Sequence, residues 1–203
     1  VSLVAVTKTV STDVAAVLPD LGVLDLGESR PQELWRKAAV LPSSVRWHLV
    51  GHLQRNKIDK TLPLAHLIHS VDSARLLHAL EEEATRQGRG VDVLLEVNAS
   101  REEAKHGLAP EGLPALAARL RELNRVRVCG LMTMAALEAE PERCRLTFAA
   151  LRELRDQLRG ELGPTYSLPH LSMGMTNDFE VAIEEGATLV RIGTALFEGI
   201  GAS

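Results

Sequence analysis

The chain has 203 residues, 45% of them apolar and 25% charged, with a formal net charge of −4. That is ample material for one large core, and the wrong charge for non-specific nucleic-acid binding. No apolar run approaches the ~18 residues of a membrane span, and the N-terminus has no signal-peptide pattern, so neither nucleic acid nor membrane is expected as a partner.

Short apolar runs alternate with helical segments from the first residue onward. A strand over 1–7 ends at Lys8, and a short helix is predicted over 12–21. A strand over 22–26 runs into Gly27-Glu28-Ser29. Pro31, suited to a first helical turn, opens a helix over 31–40. A third strand over 45–50 leads into Gly51-His52-Leu53 and a short basic helix over 54–62. A fourth strand is expected over 65–70. The helix over 73–87 is strongly periodic, with Leu76, Leu77 and Leu80 on one side. The fifth strand, 91–97, ends at Asn98 and a polar loop over 100–107. A helix over 111–123 precedes the sixth strand, 126–132, which ends at Thr133-Met134. A long amphipathic helix follows over 142–162, then a seventh strand over 168–173, a helix over 178–185 and an eighth strand over 188–192.

Strands this continuously apolar belong in a parallel sheet covered on both faces. Eight βα units predict a closed (β/α)₈ TIM barrel, one domain over 1–203. The open doubly wound sheet is the rival, weakened because no GxGxxG turn follows the first strand. The chain is short beside the ~250 residues usual for this barrel. It begins on a strand without an initiator Met, so further residues upstream, including a helix that would complete the ring, are expected. Cys129 and Cys144 are too few for a disulfide framework or a metal site. They read as small apolar fillers in a reducing, cytoplasmic compartment. The polar outer faces of the helices predict a monomer.

In such a barrel the chemistry sits at the C-terminal ends of the strands. Two Gly turns there, Ser172-Met173-Gly174-Met175-Thr176 and Arg191-Ile192-Gly193-Thr194, let backbone approach a ligand closely and aim free amides at an anion. With the hydroxyls of Ser172, Thr176 and Thr194 they predict a cup for one phosphate. Lys8 closes the first strand at the same rim. It reads either as a solvated charge or as a Schiff-base amine, whose neutral fraction rises between apolar walls or beside a cation such as Arg191. An amine facing a phosphate cup is what pyridoxal 5′-phosphate needs, with its aldehyde at one end and phosphate at the other.

The stretches Val4-Ala5-Val6-Thr7-Lys8, Gly27-Glu28-Ser29, 47–57 (WHLVGHLQRNK), 172–178 (SMGMTND) and Val190-Arg191-Ile192-Gly193-Thr194 recur in one order along nearly the whole chain. Asn98-Ala99-Ser100, Lys105-His106-Gly107 and Gly130-Leu131-Met132 join them. Together they resemble the pyridoxal phosphate homeostasis proteins, YggS-like proteins whose barrel is similar to the N-terminal domain of alanine racemase. The resemblance implies that Lys8 carries the cofactor as a Schiff base. It implies that Ser172, Gly174, Gly193 and Thr194 hold its phosphate and that Arg191 faces the pyridine nitrogen. A guanidinium there keeps that nitrogen unprotonated and the ring a poor electron sink. The family pattern Gly-Glu-Asn-Tyr is here Gly27-Glu28-Ser29-Arg30, and Ser29 reaches less far than Asn would.

Several residues carry two readings. His48 is either a satisfied histidine inside the barrel or part of the cofactor wall. Met132, Met134, Met173 and Met175 either pack or flank the ring. Arg55 and Lys57 mark a solvated face or a secondary anion site, Glu28 a structural acceptor, and Lys105 a loop charge or a visitor to the cofactor edge. The candidate cofactor-binding set is Lys8, Ser29, His48, Met132, Ser172, Gly174, Met175, Arg191, Gly193 and Thr194. No paired carboxylates, Cys/His dyad or Ser/His/Asp set is recognisable, which disfavours hydrolysis. The expected role is to bind pyridoxal phosphate and buffer or deliver it to PLP-requiring apo-enzymes, without strong turnover. An amino-acid racemase is the alternative, and a Schiff-base aldolase a third. A racemase of this fold needs a second acid/base opposite the lysine, and the one tyrosine, Tyr166, precedes the seventh strand.

Overall fold

In a computed structural model, described over residues 1–102, 106–135 and 140–200, eight parallel strands close into a barrel in sequence order. They are β1 Ser2–Val6, β2 Asp25–Glu28, β3 Arg46–Leu49, β4 Ala65–Val71, β5 Val91–Glu96, β6 Val126–Met132, β7 His170–Ser172 and β8 Leu189–Ile192. The helices between them are α1 Thr12–Val17, α2 Pro31–Ala38, α3 Ile58–Thr61, α4 Ala74–Arg86, α5 Leu113–Leu120, α6 Pro141–Leu162 and α7 Phe179–Glu184. Pairing of β8 with β1, from Ser2↔Leu189 to Ala5↔Ile192, closes the barrel and removes the open-sheet alternative. Among the described residues no helix is long and apolar enough to cross a membrane.

Local chemistry sets most element ends. Ser11 and Ser73 cap α1 and α4, their hydroxyls accepting from Val14 N and Leu76 N. The helix expected over 12–21 breaks before Pro19, and a 3₁₀ turn, Pro19–Leu21, replaces its end. The basic helix expected over 54–62 likewise divides into a 3₁₀ turn, Arg55–Lys57, and α3. Cys129 and Cys144 are both buried thiols.

The two-residue period of the strands sorts side chains between two cores. Leu26, Leu49, Ile68, Leu95 and Leu171 point outward and pack under helix residues such as Leu34, Leu80 and Phe148. Val4, Leu67, Leu94, Cys129, Met132 and Leu189 form the smaller inner cluster. Polar side chains share this inner register: His48 on β3, His69 on β4, Ser172 on β7 and Arg191 on β8, all buried. A register shift between β3 and β4 at Trp47/His48 pairs His48 with Leu67, so that His69 follows on the same inward face.

Candidate functional site

A cavity of about 390 Å³ opens at the C-terminal mouth, where Lys8 follows β1, Ser29 follows β2 and Gly193 follows β8. Its volume lies within the range usual for small-ligand pockets. Lys8 is exposed and faces this cavity, as do Arg191, Thr176 and Thr194. Gly51 shapes one wall by close approach. A Cβ there would stand 2.2 Å from the carbonyl oxygen of Ser29, so only hydrogen lets the ends of β2 and β3 meet. Gly51→Ala is therefore expected to destabilise the fold by about 1–3 kcal/mol, the usual range for overpacking, and to weaken ligand binding at the mouth. Urea unfolding monitored alongside ligand titration checks both effects.

The two turns after β7 and β8 are tied together. Gly174 has φ +89°, and a Cβ on it would meet Ala182 Cβ at 2.6 Å and Phe179 Cα at 3.0 Å, so glycine lets α7 seat directly on the turn. Arg191 N donates to Gly174 O at 3.0 Å. Met175 N donates to Asp178 Oδ1 at 2.6 Å, and Ala195 N to Thr176 Oγ1 at 3.4 Å. The backbone N–H groups of Gly193 and Thr194 have no hydrogen-bond partner among the described residues. Free amides beside two threonine hydroxyls are the donors that an anion cradle requires.

Arg191 is 5% exposed. Its guanidinium donates to Ser172 Oγ at 2.6 Å and to Thr133 O at 2.9 Å. Burial pulls its pKa down to about 10, against Asp178 and Glu96, so it remains a cation at neutral pH. Behind it a hydrogen-bonded chain runs down the barrel interior. His69 Nδ1 lies 2.8 Å from Ser172 Oγ, His69 Nε2 2.9 Å from His48 Nδ1, and His48 Nε2 3.0 Å from Asp25 Oδ1. Asp25, the first residue of β2, is held by both Arg46 Nε and Arg46 NH2 at 2.6 Å on the opposite rim.

The loop carrying Lys8 is anchored from below by Lys37, the largest fully buried side chain. Its Nζ donates to Thr7 O at 2.6 Å, Val10 O at 3.0 Å and Glu28 Oε1 at 2.6 Å. Thr7 Oγ1 also donates to Glu28 Oε1, at 2.7 Å. Glu28 is thus the structural acceptor that the sequence suggested.

Of the candidate set, the structure brings Lys8, Ser29, Met175, Arg191, Gly193 and Thr194 to the cavity. Four lie away from its wall. His48 is held between Asp25 and His69 in the barrel. Met132 packs in the inner cluster. Gly174 is covered by α7. Ser172 is fully buried, its oxygen engaged by Arg191 and His69, so Thr176 is the hydroxyl that this turn presents to the cavity. Lys105 lies outside the described residues. Met134 reaches the cavity, whereas Met173 is buried in the outer core. Tyr166 lies beside a second cavity with Asp92 and Arg127, and its hydroxyl donates to Leu120 O at 3.2 Å. The residues that sequence reasoning missed are Lys37 and His69. For His69 the available signal was a histidine two places after the inward-facing Leu67.

The chain is similar to known proteins over nearly its whole length. The family model described as alanine racemase, N-terminal domain, matches residues 1–200. A pyridoxal phosphate homeostasis protein of Aquifex aeolicus is 44% identical over 196 residues, covering 96% of this chain and 85% of the relative. One from Pseudomonas aeruginosa is 41% identical over 198 residues, covering 97% and 84%. The structure of PipY from Synechococcus elongatus with PLP bound superposes with a TM-score of 0.89 at 35% identity, covering 97% of this chain and 92% of that one. Alanine racemase from Corynebacterium glutamicum shares the fold at a TM-score of 0.76 and 18% identity, covering 98% and 58%.

Proposed function

We propose that this chain, which belongs to the pyridoxal phosphate homeostasis proteins and to the wider family of the alanine racemase N-terminal domain, binds pyridoxal 5′-phosphate at the barrel mouth and buffers or delivers it. The observation that carries the reading is the sharing of one cavity by an exposed amine, Lys8, an anion cradle at Gly193, Thr194 and Thr176, and a buried cation, Arg191. The donor set matches the chemistry of the cofactor's two ends. When bound, pyridoxal phosphate supplies an aldehyde that condenses with an amine and a phosphate that takes hydrogen-bond donors.

Lys8 offers the amine for a Schiff-base link, from a loop held by Lys37. The free amides of Gly193 and Thr194 and the two hydroxyls would orient the phosphate. Arg191 has only hydrogens to offer and keeps its charge, so a ring nitrogen placed beside it would remain an acceptor and gain no proton. That withholds the electron-sink character that fast amino-acid chemistry requires. Tyr166, donating to Leu120 O beside the other cavity, gives Lys8 no opposing acid or base. The exposure of Lys8 suits a site that must release its cargo.

Delivery is tested by mixing the loaded protein with a PLP-requiring apo-enzyme. Reactivation at a free cofactor level too low to act alone is expected. No reactivation at any protein concentration would remove delivery and leave binding. Rapid racemisation of an amino acid by the loaded protein would replace the carrier reading with the enzymatic one.

A further inference from the structure

The inside of a barrel of this kind is ordinarily filled by branched apolar side chains. Here a connected line of polar groups crosses it, from Arg191 at the mouth to the Asp25–Arg46 pair on the opposite rim. Buried polar lines are tolerated when every member is satisfied, and the chemistry of the two ends decides how this one is satisfied. Arg191 can only donate, so Ser172 Oγ must accept from it. The hydroxyl hydrogen of Ser172 is then free to point at His69 Nδ1, which accepts. At the other end the Asp25 carboxylate can only accept. Burial works to raise its pKa, but hydrogen bonds from Arg46 and His48 outweigh this and hold it well below the usual range. His48 Nε2 therefore donates to Asp25, and with a neutral ring His48 Nδ1 accepts, which makes His69 Nε2 the donor between the rings. With both rings neutral, one arrangement satisfies every link: both histidines are protonated on Nε2, and every hydrogen points from Arg191 toward Asp25.

We infer that this one-way relay is a positioning device, in which His69 and His48 hold the Ser172 hydroxyl and thereby orient the Arg191 guanidinium toward the cavity. The surroundings support neutral rings. Burial lowers the pKa of His48 against the pull of Asp25, with His66 and Arg46 adding positive charge nearby. Burial lowers that of His69 further, with His48, Arg191 and His170 acting the same way. The His66 ring meets His48 edge-on at 5.7 Å. Glu96 and Asp178 face Arg191 from the mouth and keep it charged. A proton placed on either ring would turn the His69–Ser172 link around, with His69 Nδ1 donating to Ser172 Oγ, and would leave the Ser172 hydrogen without its acceptor and free to rotate. The relay itself is a property of the protein without cofactor. Its effect on ligand rests on the proposed reading of the cavity.

The first test uses the cofactor-free protein labelled with ¹⁵N-histidine. His48 and His69 are expected as neutral Nε2–H tautomers at neutral and at mildly acidic pH. A proton on Nδ1 of either ring, or a charged ring at neutral pH, overturns the relay. The second test titrates pyridoxal phosphate. His69→Leu is expected to weaken binding about tenfold and shift the pH dependence of the bound cofactor's absorption. His69→Asn, whose Oδ1 takes the place of the accepting nitrogen, is expected to restore both; His69→Gln, which keeps only the link to His48, is not. Unchanged affinity and pH profile in a folded His69→Leu protein overturn the positioning role while leaving the cofactor reading intact. If the parent protein binds no cofactor, that reading fails and the tautomers alone decide the relay.

Discussion

Lys8→Ala is expected to lose the visible absorption of bound pyridoxal phosphate and at least about a hundredfold in affinity, about 2.8 kcal/mol. Lys8 is the primary amine of the cavity lining among the described residues. The other nitrogen base there, Arg191, stays protonated and is fixed by Ser172 and Thr133, so it cannot replace the amine. The amides of Gly193 and Thr194 and the hydroxyl of Thr176 are untouched by the change, so weak, colourless binding through phosphate is expected to persist. Absorption spectra and equilibrium titration read the two effects separately. A Lys8→Ala protein that keeps the band at near-parental affinity would transfer the role to another lysine.

Lys37→Met is expected to destabilise the fold by about 3–5 kcal/mol, because removing one partner of a buried ion pair leaves the other charge uncompensated. Both side chains of the Lys37–Glu28 pair are 1% exposed. Among the described residues Glu28 Oε2 already has no hydrogen-bond partner, so with Lys37 gone the carboxylate keeps only the Thr7 hydroxyl. The carbonyls of Thr7 and Val10 would also lose their donor, and these flank Lys8. For a chain of this size the change corresponds to a fall in Tm of roughly 10 °C. Glu28→Gln in the same chain removes the stranded charge and is expected to recover part of the loss. Urea unfolding of the single and double variants measures both. A single variant within about 1 kcal/mol of the parent would show that the pair carries little of the fold's stability.

The barrel was legible because its signal is repetitive. Each strand is a short apolar run, each run is followed by a helical segment, and eight repeats leave one closed arrangement in place of many open ones. The mouth was legible where chemistry coincides with a strand end, as at Lys8, Arg191, Gly193 and Thr194. It was misread where the inward turn of a side chain mattered more than its rim position. Ser172 ends β7, which suggested the phosphate cup, but the pleat directs its hydroxyl into the barrel toward His69, 103 residues earlier. Such a pairing depends on strand register, and the β3–β4 shift that brings His69 beside His48 leaves no trace in hydrophobic periodicity. Lys37 was missed for a related reason. On a short helix a lysine reads as solvated face, and only the folded β1 and β2 loops supply the acceptors that bury it.

In the proposed function the Lys8 amine and the anion cradle after β8 hold two ends of a single pyridoxal phosphate molecule. Borohydride reduction of the loaded protein, followed by peptide mapping, tests it most directly. One reduced cofactor per chain, attached to Lys8, is the predicted result. Attachment to a different lysine, or no attachment from a protein that retains the cofactor, would contradict it.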